Sequence, residues 1–155
     1  MLRYTHEKVL PYAEKDLFEL VLDIPSYPDF LPWVFASKIV EGSPQKSPFY
    51  ADLSIGYQLF NETYTSRVTF SSYDWIKAEH IKGPFKHMVT LWTFSKDPVS
   101  KTPMTRVHFS IECAFQSFLL QKLLENLMKD ASENIIDAFE KRMCEQKKTC
   151  RKINL

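Results

Sequence analysis

The pattern of apolar and polar residues divides the chain into a strand-rich middle and a long helical end. Between Ser117 and Met143, apolar residues recur at helical spacing, and charged and amide residues take the opposite face. Ser117 is suited to cap this helix, and no Gly or Pro interrupts the run. Because the apolar stripe is wide, the pattern predicts a long helix that packs against a large surface.

Alternating apolar and polar residues predict strands in most of the remaining chain. The predicted strands cover residues 3–10, 34–40, 49–57, 60–71, 75–81, 85–95 and 105–115. In the last of them, Val107, Phe109 and Ile111 share one face, and Arg106 and His108 share the other. The connections are short and rich in turn residues, which favours an antiparallel meander with one packed face.

Two short segments after the first strand are predicted to be helical. The first runs from Ala13 to Leu22 and ends before Pro25, because proline disfavours helical geometry in the residue before it. The stretch from Pro25 to Trp33 holds three prolines, so it predicts a single helical turn on a stiff loop. Its large apolar side chains form either a lid on the core or the rim of a ligand site.

Length and composition fit one domain with a sizeable core. The chain has 155 residues, of which 45% are hydrophobic, and its net charge of +1 argues against DNA as a partner. The sequence holds no glycine-rich phosphate-binding motif. We therefore expect an α+β domain over residues 1–146, with one long helix lying across one curved sheet, and a basic, disordered tail over residues 147–155.

The charge is concentrated at the end of the chain. From Lys141 to Leu155 there are six basic residues and one acidic residue, which gives +5. Such a segment either helps the protein to dock on an anionic membrane or only keeps it soluble.

The sequence also suggests a cellular location. The first residues resemble neither a signal peptide nor a presequence, and no apolar run is long enough to span a membrane. The odd number and wide spacing of the three cysteines suit a reducing compartment. We expect a cytoplasmic protein, and peripheral contact with the inner membrane stays open.

Four groups of short motifs occur in a recognisable order. They are Tyr27–Trp33, which fits the signature YPxFLPW; Ile55–Tyr57 with Glu62–Val68; Gly83–Lys86 with Trp92–Phe94; and Ala138–Arg142. Each is weak alone, but four in register are specific. Together they resemble the coenzyme Q-binding Coq10/START-like family, which belongs to the wider polyketide cyclase/dehydrase group and has ribosome association toxins among its bacterial members.

This resemblance implies a fold and a function. The fold is the helix-grip of START and Bet v 1-like proteins: a curved antiparallel sheet of six or seven strands around a long C-terminal helix, with two short helices after the first strand. The implied function is non-catalytic binding of ubiquinone or a related isoprenoid lipid, as a chaperone or carrier that supports cellular respiration and quinone biosynthesis. A ribosome-binding toxin is the alternative, and an aromatic polyketide cyclase is a weaker one.

Two departures from the family pattern are visible. Ala13 stands where relatives often have a helix-capping serine. The chain also lacks the presequence that mitochondrial members need, which favours a bacterial source.

The predicted ligand site is an apolar cavity between the sheet and the C-terminal helix. Its predicted residues are Tyr27, Phe30, Leu31, Trp33, Glu62, Tyr64, Val68, Phe85, Trp92, Phe94, Phe109, Leu124, Leu127, Met128 and Ile135. The Pro25–Trp33 loop and the turn before Phe85 would form its mouth. The same residues could fill a core completely, so the sequence leaves open whether the cavity is open or filled.

The predicted site contains one carboxylate, that of Glu62. Glu62 is either solvated or paired with a base such as Arg67, or else it contacts a quinone headgroup. No histidine has a positioned partner for catalysis, and Cys113 fits a small core residue. We expect no catalytic residue, no metal and no cofactor, with ubiquinone as a bound ligand of a protein that is not an enzyme.

Overall fold

The computed structural model describes residues 1–57, 60–99 and 101–148. Within these ranges the strands are β1 (Leu2–Leu10), β2 (Val34–Ser43), β3 (Lys46–Tyr57), β4 (Phe60–Ser71), β5 (Trp75–Lys82), β6 (Phe85–Lys96) and β7 (Thr105–Phe115). The helices are α1 (Glu14–Leu22), a 3₁₀ helix (Ile24–Asp29) and α2 (Phe118–Lys147). The strands form an antiparallel sheet in the order β1-β7-β6-β5-β4-β3-β2. This is the predicted α+β helix-grip architecture.

The sheet has a packed face and a more exposed face, as its alternating pattern predicts. In β7 every second residue, from Thr105 to Phe115, is buried, and the residues between are half-buried. The register places Phe109 opposite Trp92 of β6, so large rings from neighbouring strands meet on the packed face. Between β2 and β3 the register shifts at three points, which bends that edge of the sheet.

Helix α2 lies across the packed face. The backbone N–H of Leu120 donates to the Ser117 hydroxyl at 3.3 Å, which confirms the predicted cap. In the second half of the helix, Asp137 and Glu140 accept hydrogen bonds from Lys8 of β1 at 3.0 Å and 2.6 Å. The helix is therefore fixed to the sheet by its buried stripe and by contacts with the edge strand.

The two short helices close one side of the core. Helix α1 begins after Ala13, which makes no side-chain capping bond, and it buries its apolar side. Phe18 of α1 meets Phe94 of β6 edge-to-face at 5.9 Å. The 3₁₀ helix is the predicted turn between prolines, and Ser37 of β2 donates to its Ile24 carbonyl at 2.7 Å. This bond holds the turn beside the sheet.

Most of the predicted tail, residues 149–155, lies outside the described residues, so the domain boundary stays a prediction. Lys147 belongs to α2, and its Nζ is 3.2 Å from an Asp16 carboxylate oxygen. Within the described ranges Cys113 is free and buried. The expected reducing compartment stays a prediction. None of the helices in these ranges combines the length and the apolar character needed to cross a bilayer.

Candidate functional site

A cavity of about 110 Å³ lies between the packed face of the sheet and α2. Its wall comes from α1, the 3₁₀ helix and the loop after it, strands β2 to β7, and the middle of α2. The wall is predominantly apolar, and no acidic or basic side chain of the described residues belongs to it. A concave apolar site with few polar groups is the usual form of a site for a small lipophilic ligand.

Most of the predicted site residues come together on this wall. Those that line it are Tyr27, Leu31, Trp33, Tyr64, Val68, Trp92, Phe109, Leu127, Met128 and Ile135. They are brought together because alternation along the strands and helical spacing along α2 point them into the same space. Whether they bind a ligand stays a prediction.

Three predicted apolar residues lie in the packed structure around the cavity. Phe30 packs edge-to-face on Phe139 at 5.0 Å. Phe94 is on the predicted face of β6, but it packs against α1. Leu124 is fully buried one turn before Leu127. These side chains support the wall and do not form it.

Phe85 and Glu62 also lie off the wall. Phe85 is buried and contacts the Tyr64 ring at 5.4 Å, so it stands behind a wall residue. Glu62 is half-buried and lies opposite the wall residue Ile55 in the β3–β4 register. Within the described part of the chain Glu62 makes no ion pair, and Arg67 lies 3.9 Å from Glu79 instead. The predicted pairing of Glu62 with Arg67 is therefore not observed.

Several wall residues, most of them small or aliphatic, were not predicted from the sequence. They are Val21, Ile24, Val34, Leu53, Ile55, Ser66, Ile76, Ala78, Met88, Thr90, Ile111, Ala131 and Ser132. The alternation of β4 could have identified Ser66, since it lies between Tyr64 and Val68 on the inward face. Small side chains such as Ala78 and Ala131 leave the space that larger ones would fill.

Few polar groups on the wall are free to meet a ligand. The Tyr27 hydroxyl donates to the Val21 carbonyl, and the Ser132 hydroxyl donates to the Lys129 carbonyl at 2.8 Å. By contrast, the Tyr64 hydroxyl has no hydrogen-bond partner among the described residues. Burial raises the pKa of Tyr64, so the hydroxyl stays protonated and can donate.

Ser66 and Thr90 add two smaller hydroxyls to the wall. Neither side chain forms a hydrogen bond with another part of the chain that the structure describes. Ser66 is two residues from Tyr64 on the same face of β4, so these two hydroxyls belong to one side of the cavity.

His80 lies behind this side of the cavity. Its ring centroid is 6.4 Å from that of Tyr64 and 5.4 Å from that of Phe85. Its Nε2 is buried and unpaired within the described residues. Burial lowers the pKa of His80, which favours the neutral imidazole.

Because Gly83 has no side chain, the turn between β5 and β6 can approach Tyr64 of β4 closely. The φ of Gly83 is +139°, and a Cβ placed there would lie 2.6 Å from the Cβ of Tyr64. A side chain at this position would therefore clash with the strand that carries a cavity residue.

The volume limits what the cavity can hold as it stands. A cavity of roughly 150 Å³ can take a benzene-sized molecule, and typical ligand sites measure roughly 300–1,000 Å³. The observed 110 Å³ is thus close to the space of one small ring. A larger ligand must enlarge it, and Met88 and Met128 on the wall are flexible enough to move.

Residues 10–140 match the family described as polyketide cyclase / dehydrase and lipid transport. The chain belongs to this family. The resemblance inferred from the four groups of motifs is therefore confirmed.

Two relatives show the range of proteins that this family member resembles. The ribosome association toxin RatA of Rickettsia prowazekii (strain Madrid E) is 37% identical over 146 residues, which cover 92% of this chain and 96% of the relative. The mitochondrial coenzyme Q-binding protein COQ10 of Dictyostelium discoideum is 26% identical over 137 residues, which cover 87% of this chain and 65% of that protein.

A solved structure agrees with the fold. The Zhui aromatase/cyclase from Streptomyces sp. R1128 superimposes with a TM-score of 0.78, covering 92% of this chain and 93% of that one, at 14% identity. At this identity the likeness concerns the fold alone.

Proposed function

We propose that this protein binds an isoprenoid quinone such as ubiquinone, or a related lipid, in the cavity between the sheet and α2. The observation that carries the proposal is the cavity itself, with its apolar wall and its few unpaired hydroxyls. The similarity to coenzyme Q-binding proteins supports the same ligand class. In this proposal the protein acts as a carrier or chaperone that supports respiration and quinone biosynthesis in the cytoplasm, beside the inner membrane.

The polar side of the cavity suits a quinone ring. Quinone carbonyl oxygens accept hydrogen bonds, and the neutral Tyr64 hydroxyl is an unpaired donor on the wall. Ser66, on the same face of β4, offers a second hydroxyl. The ring would lie near these groups, and the isoprenoid chain would contact the apolar wall of β6, β7 and α2.

Binding of this kind needs no chemical step. The wall holds no carboxylate, amine, guanidinium or imidazole group of the described residues, so only hydroxyl groups are present to transfer a proton in a cyclisation. We therefore propose a binding protein and not an aromatic cyclase.

Filling the cavity tests the proposal. Ala78→Leu and Ala131→Leu each place a larger aliphatic side chain where the wall now has a methyl group. We expect both variants to fold and to retain much less ubiquinone, measured by mass spectrometry of lipids extracted from the purified protein and by titration with a short-chain ubiquinone.

Ala36→Leu is the matched control, because Ala36 is exposed on β2 and does not line the cavity. Equal quinone retention in the wild type, the control and both filled variants would contradict the proposed site. Absence of quinone binding by the wild type would contradict the proposed ligand.

Ribosome binding is a second candidate, and the observation that favours it is the similarity to RatA along nearly the whole of both chains. Co-sedimentation with ribosomal subunits at low and high salt distinguishes it from lipid binding. If the ribosome is the partner, Ala78→Leu should leave co-sedimentation unchanged, because Ala78 faces the interior cavity and not the surface.

A further inference from the structure

Four large apolar side chains lie exposed at one end of the molecule. At the start of α2, Phe118 is 74% exposed, Leu119 is 66% exposed and Leu123 is 37% exposed. Ile81, at the end of β5, is 53% exposed. We refer to these four residues as the apical patch. Exposed apolar side chains grouped in this way commonly mark an interaction site.

Hydrogen bonds hold the two parts of the patch in one place. The backbone N–H of Gln116 donates to the Pro84 carbonyl at 3.0 Å, and its side-chain amide donates to the Phe85 carbonyl at 3.4 Å. These bonds join the segment before α2 to the turn between β5 and β6. The turn that follows Ile81 and the first turn of α2 therefore belong to the same end of the molecule.

The charged residues that flank the apical patch along the chain are basic. Lys82 and Lys86 flank the turn and are exposed, and Lys122 lies over the Phe118 ring with its Nζ 5.4 Å from the centroid. No acidic residue occurs within residues 81–86 or 116–124. The nearest acid along α2 is Glu125, whose carboxylate oxygen is 3.9 Å from the Lys122 Nζ.

The patch also lies at the end of the cavity where Tyr64 stands. Tyr64 contacts Phe85 at 5.4 Å, and Phe85 contacts Phe115 at 4.9 Å. Phe115 is followed within three residues by Phe118 of the patch. A row of rings thus leads from the cavity wall to the exposed end of the molecule.

We propose that the apical patch docks this protein on the surface of an anionic lipid bilayer. Aromatic and aliphatic side chains next to lysines match the two layers of such a surface, since the apolar groups enter the acyl region and the ammonium groups stay among the anionic headgroups. Lys122 above Phe118 shows this pairing within one turn of α2. The patch lies at the opposite end of α2 from Lys147, because a helix of 30 residues is roughly 45 Å long.

Vesicle co-sedimentation of the full chain tests this proposal without any quinone. The patch variant is Phe118→Ser with Leu119→Ser, and the charge variant is Lys82→Gln, Lys86→Gln and Lys122→Gln. With vesicles of phosphatidylcholine and phosphatidylglycerol, we expect the patch variant to bind at least about tenfold more weakly than the wild type. The charge variant should lose the dependence on phosphatidylglycerol and on salt.

Phe35→Ser with Val40→Ser is the matched control, because both residues are exposed apolar side chains of β2. The control should bind vesicles like the wild type, and unchanged thermal midpoints would show that every variant is folded. Wild-type binding by the patch variant would overturn the proposal. So would co-sedimentation with ribosomal subunits, or self-association, that depends on the patch while vesicles are not bound.

Discussion

Trp92 lies edge-to-face against Phe139, with ring centroids 5.1 Å apart and ring planes at 74°. Trp92 comes from β6 and Phe139 from α2, so this contact joins the sheet to the helix. Trp92 also contacts Phe109 at 4.8 Å and forms part of the cavity wall. One side chain therefore contributes both to the packing of the fold and to the candidate site.

Replacing Trp92 should affect stability and ligand binding together. Trp92 is 5% exposed and touches rings from β6, β7 and α2, so we expect Trp92→Ala to lower the free energy of unfolding by about 3–5 kcal/mol. Quinone retention should fall as well, because the wall loses one of its tryptophan rings. Denaturant unfolding and extracted quinone per protein, measured on the same variant, provide the two readouts.

Phe49→Ala is the control for this variant. Phe49 is fully buried but does not line the cavity, so its loss should destabilise the fold to a similar extent and leave quinone bound to the folded fraction. If Trp92→Ala and Phe49→Ala lower the free energy of unfolding to the same extent and also lose the same amount of quinone, Trp92 has no specific role in the site.

A methyl group at Gly83 should destabilise the protein. The Cβ of Gly83→Ala would lie 2.9 Å from the Cα of Tyr64, and the φ of +139° is unfavourable for alanine. Either the turn or β4 must shift, so we expect a loss of about 1–3 kcal/mol in the free energy of unfolding. Gly42→Ala provides a comparison, since its Cβ would meet Phe49 at 3.1 Å. A smaller loss at Gly83 than at Gly42 would contradict this account.

The strands could be predicted well wherever the alternation is regular. The predicted bounds of β4 and β7 agree with the structure, because one face of each strand packs and the other faces outward. The hairpin of β2 and β3 is longer than predicted. Its pairing continues to Ser43 and Lys46 through register shifts, and such shifts break the two-residue period on which the prediction depends.

The cavity could be predicted only in part. The sequence pattern shows which face of a strand a side chain lies on, but it does not show whether that side chain reaches the cavity. Trp92 and Phe94 share a face of β6, yet only Trp92 reaches the cavity, since α1 covers Phe94 with Phe18. Which part of a strand faces α2 depends on how the helix crosses the sheet. The volume of the cavity is left by small wall residues such as Ala78. Small residues also occur in fully packed cores, so their positions in the sequence do not predict a cavity.

The stability of the protein should depend on His80 at mildly acidic pH. Burial lowers the pKa of His80 below its ordinary value of 6.5, so in this window the unfolded chain binds a proton that the folded chain excludes. The free energy of unfolding should therefore fall as the pH falls below 6.5. Above pH 6.5 the histidine is neutral in both states, so His80 does not make the stability depend on pH. His80→Gln should reduce the slope of stability against pH between about pH 5 and 6.5. An unchanged slope would show that His80 does not contribute.

Restoring a capping side chain before α1 should stabilise the protein. Ala13 has an extended backbone, with φ −70° and ψ 148°, and makes no side-chain bond to the helix. A serine hydroxyl in this conformation can accept from a free N–H of the first turn, so Ala13→Ser should gain about 1 kcal/mol. Ala13→Gly, which lacks the hydroxyl, should not reproduce the gain. Thermal and denaturant unfolding would measure both variants.

Two tyrosines on the cavity wall should respond differently to loss of the hydroxyl. The Tyr27 hydroxyl is committed to the Val21 carbonyl, whereas the Tyr64 hydroxyl has no partner among the described residues. Tyr27→Phe should therefore lower the free energy of unfolding by about 1 kcal/mol and change quinone affinity little. Tyr64→Phe should leave stability nearly unchanged, because no bond within the described part of the chain is lost.

Tyr64→Phe should instead weaken quinone binding, because the variant loses a donor that can meet a quinone carbonyl. A hydrogen bond of about 0.5–1.5 kcal/mol corresponds to a loss of affinity of roughly two- to tenfold. Titration with a short-chain ubiquinone and denaturant unfolding, performed on both variants, separate the two roles. If Tyr64→Phe binds the quinone as tightly as the wild type, the ring does not lie against this hydroxyl, and the polar side of the cavity must be assigned to Ser66 or Thr90 or abandoned.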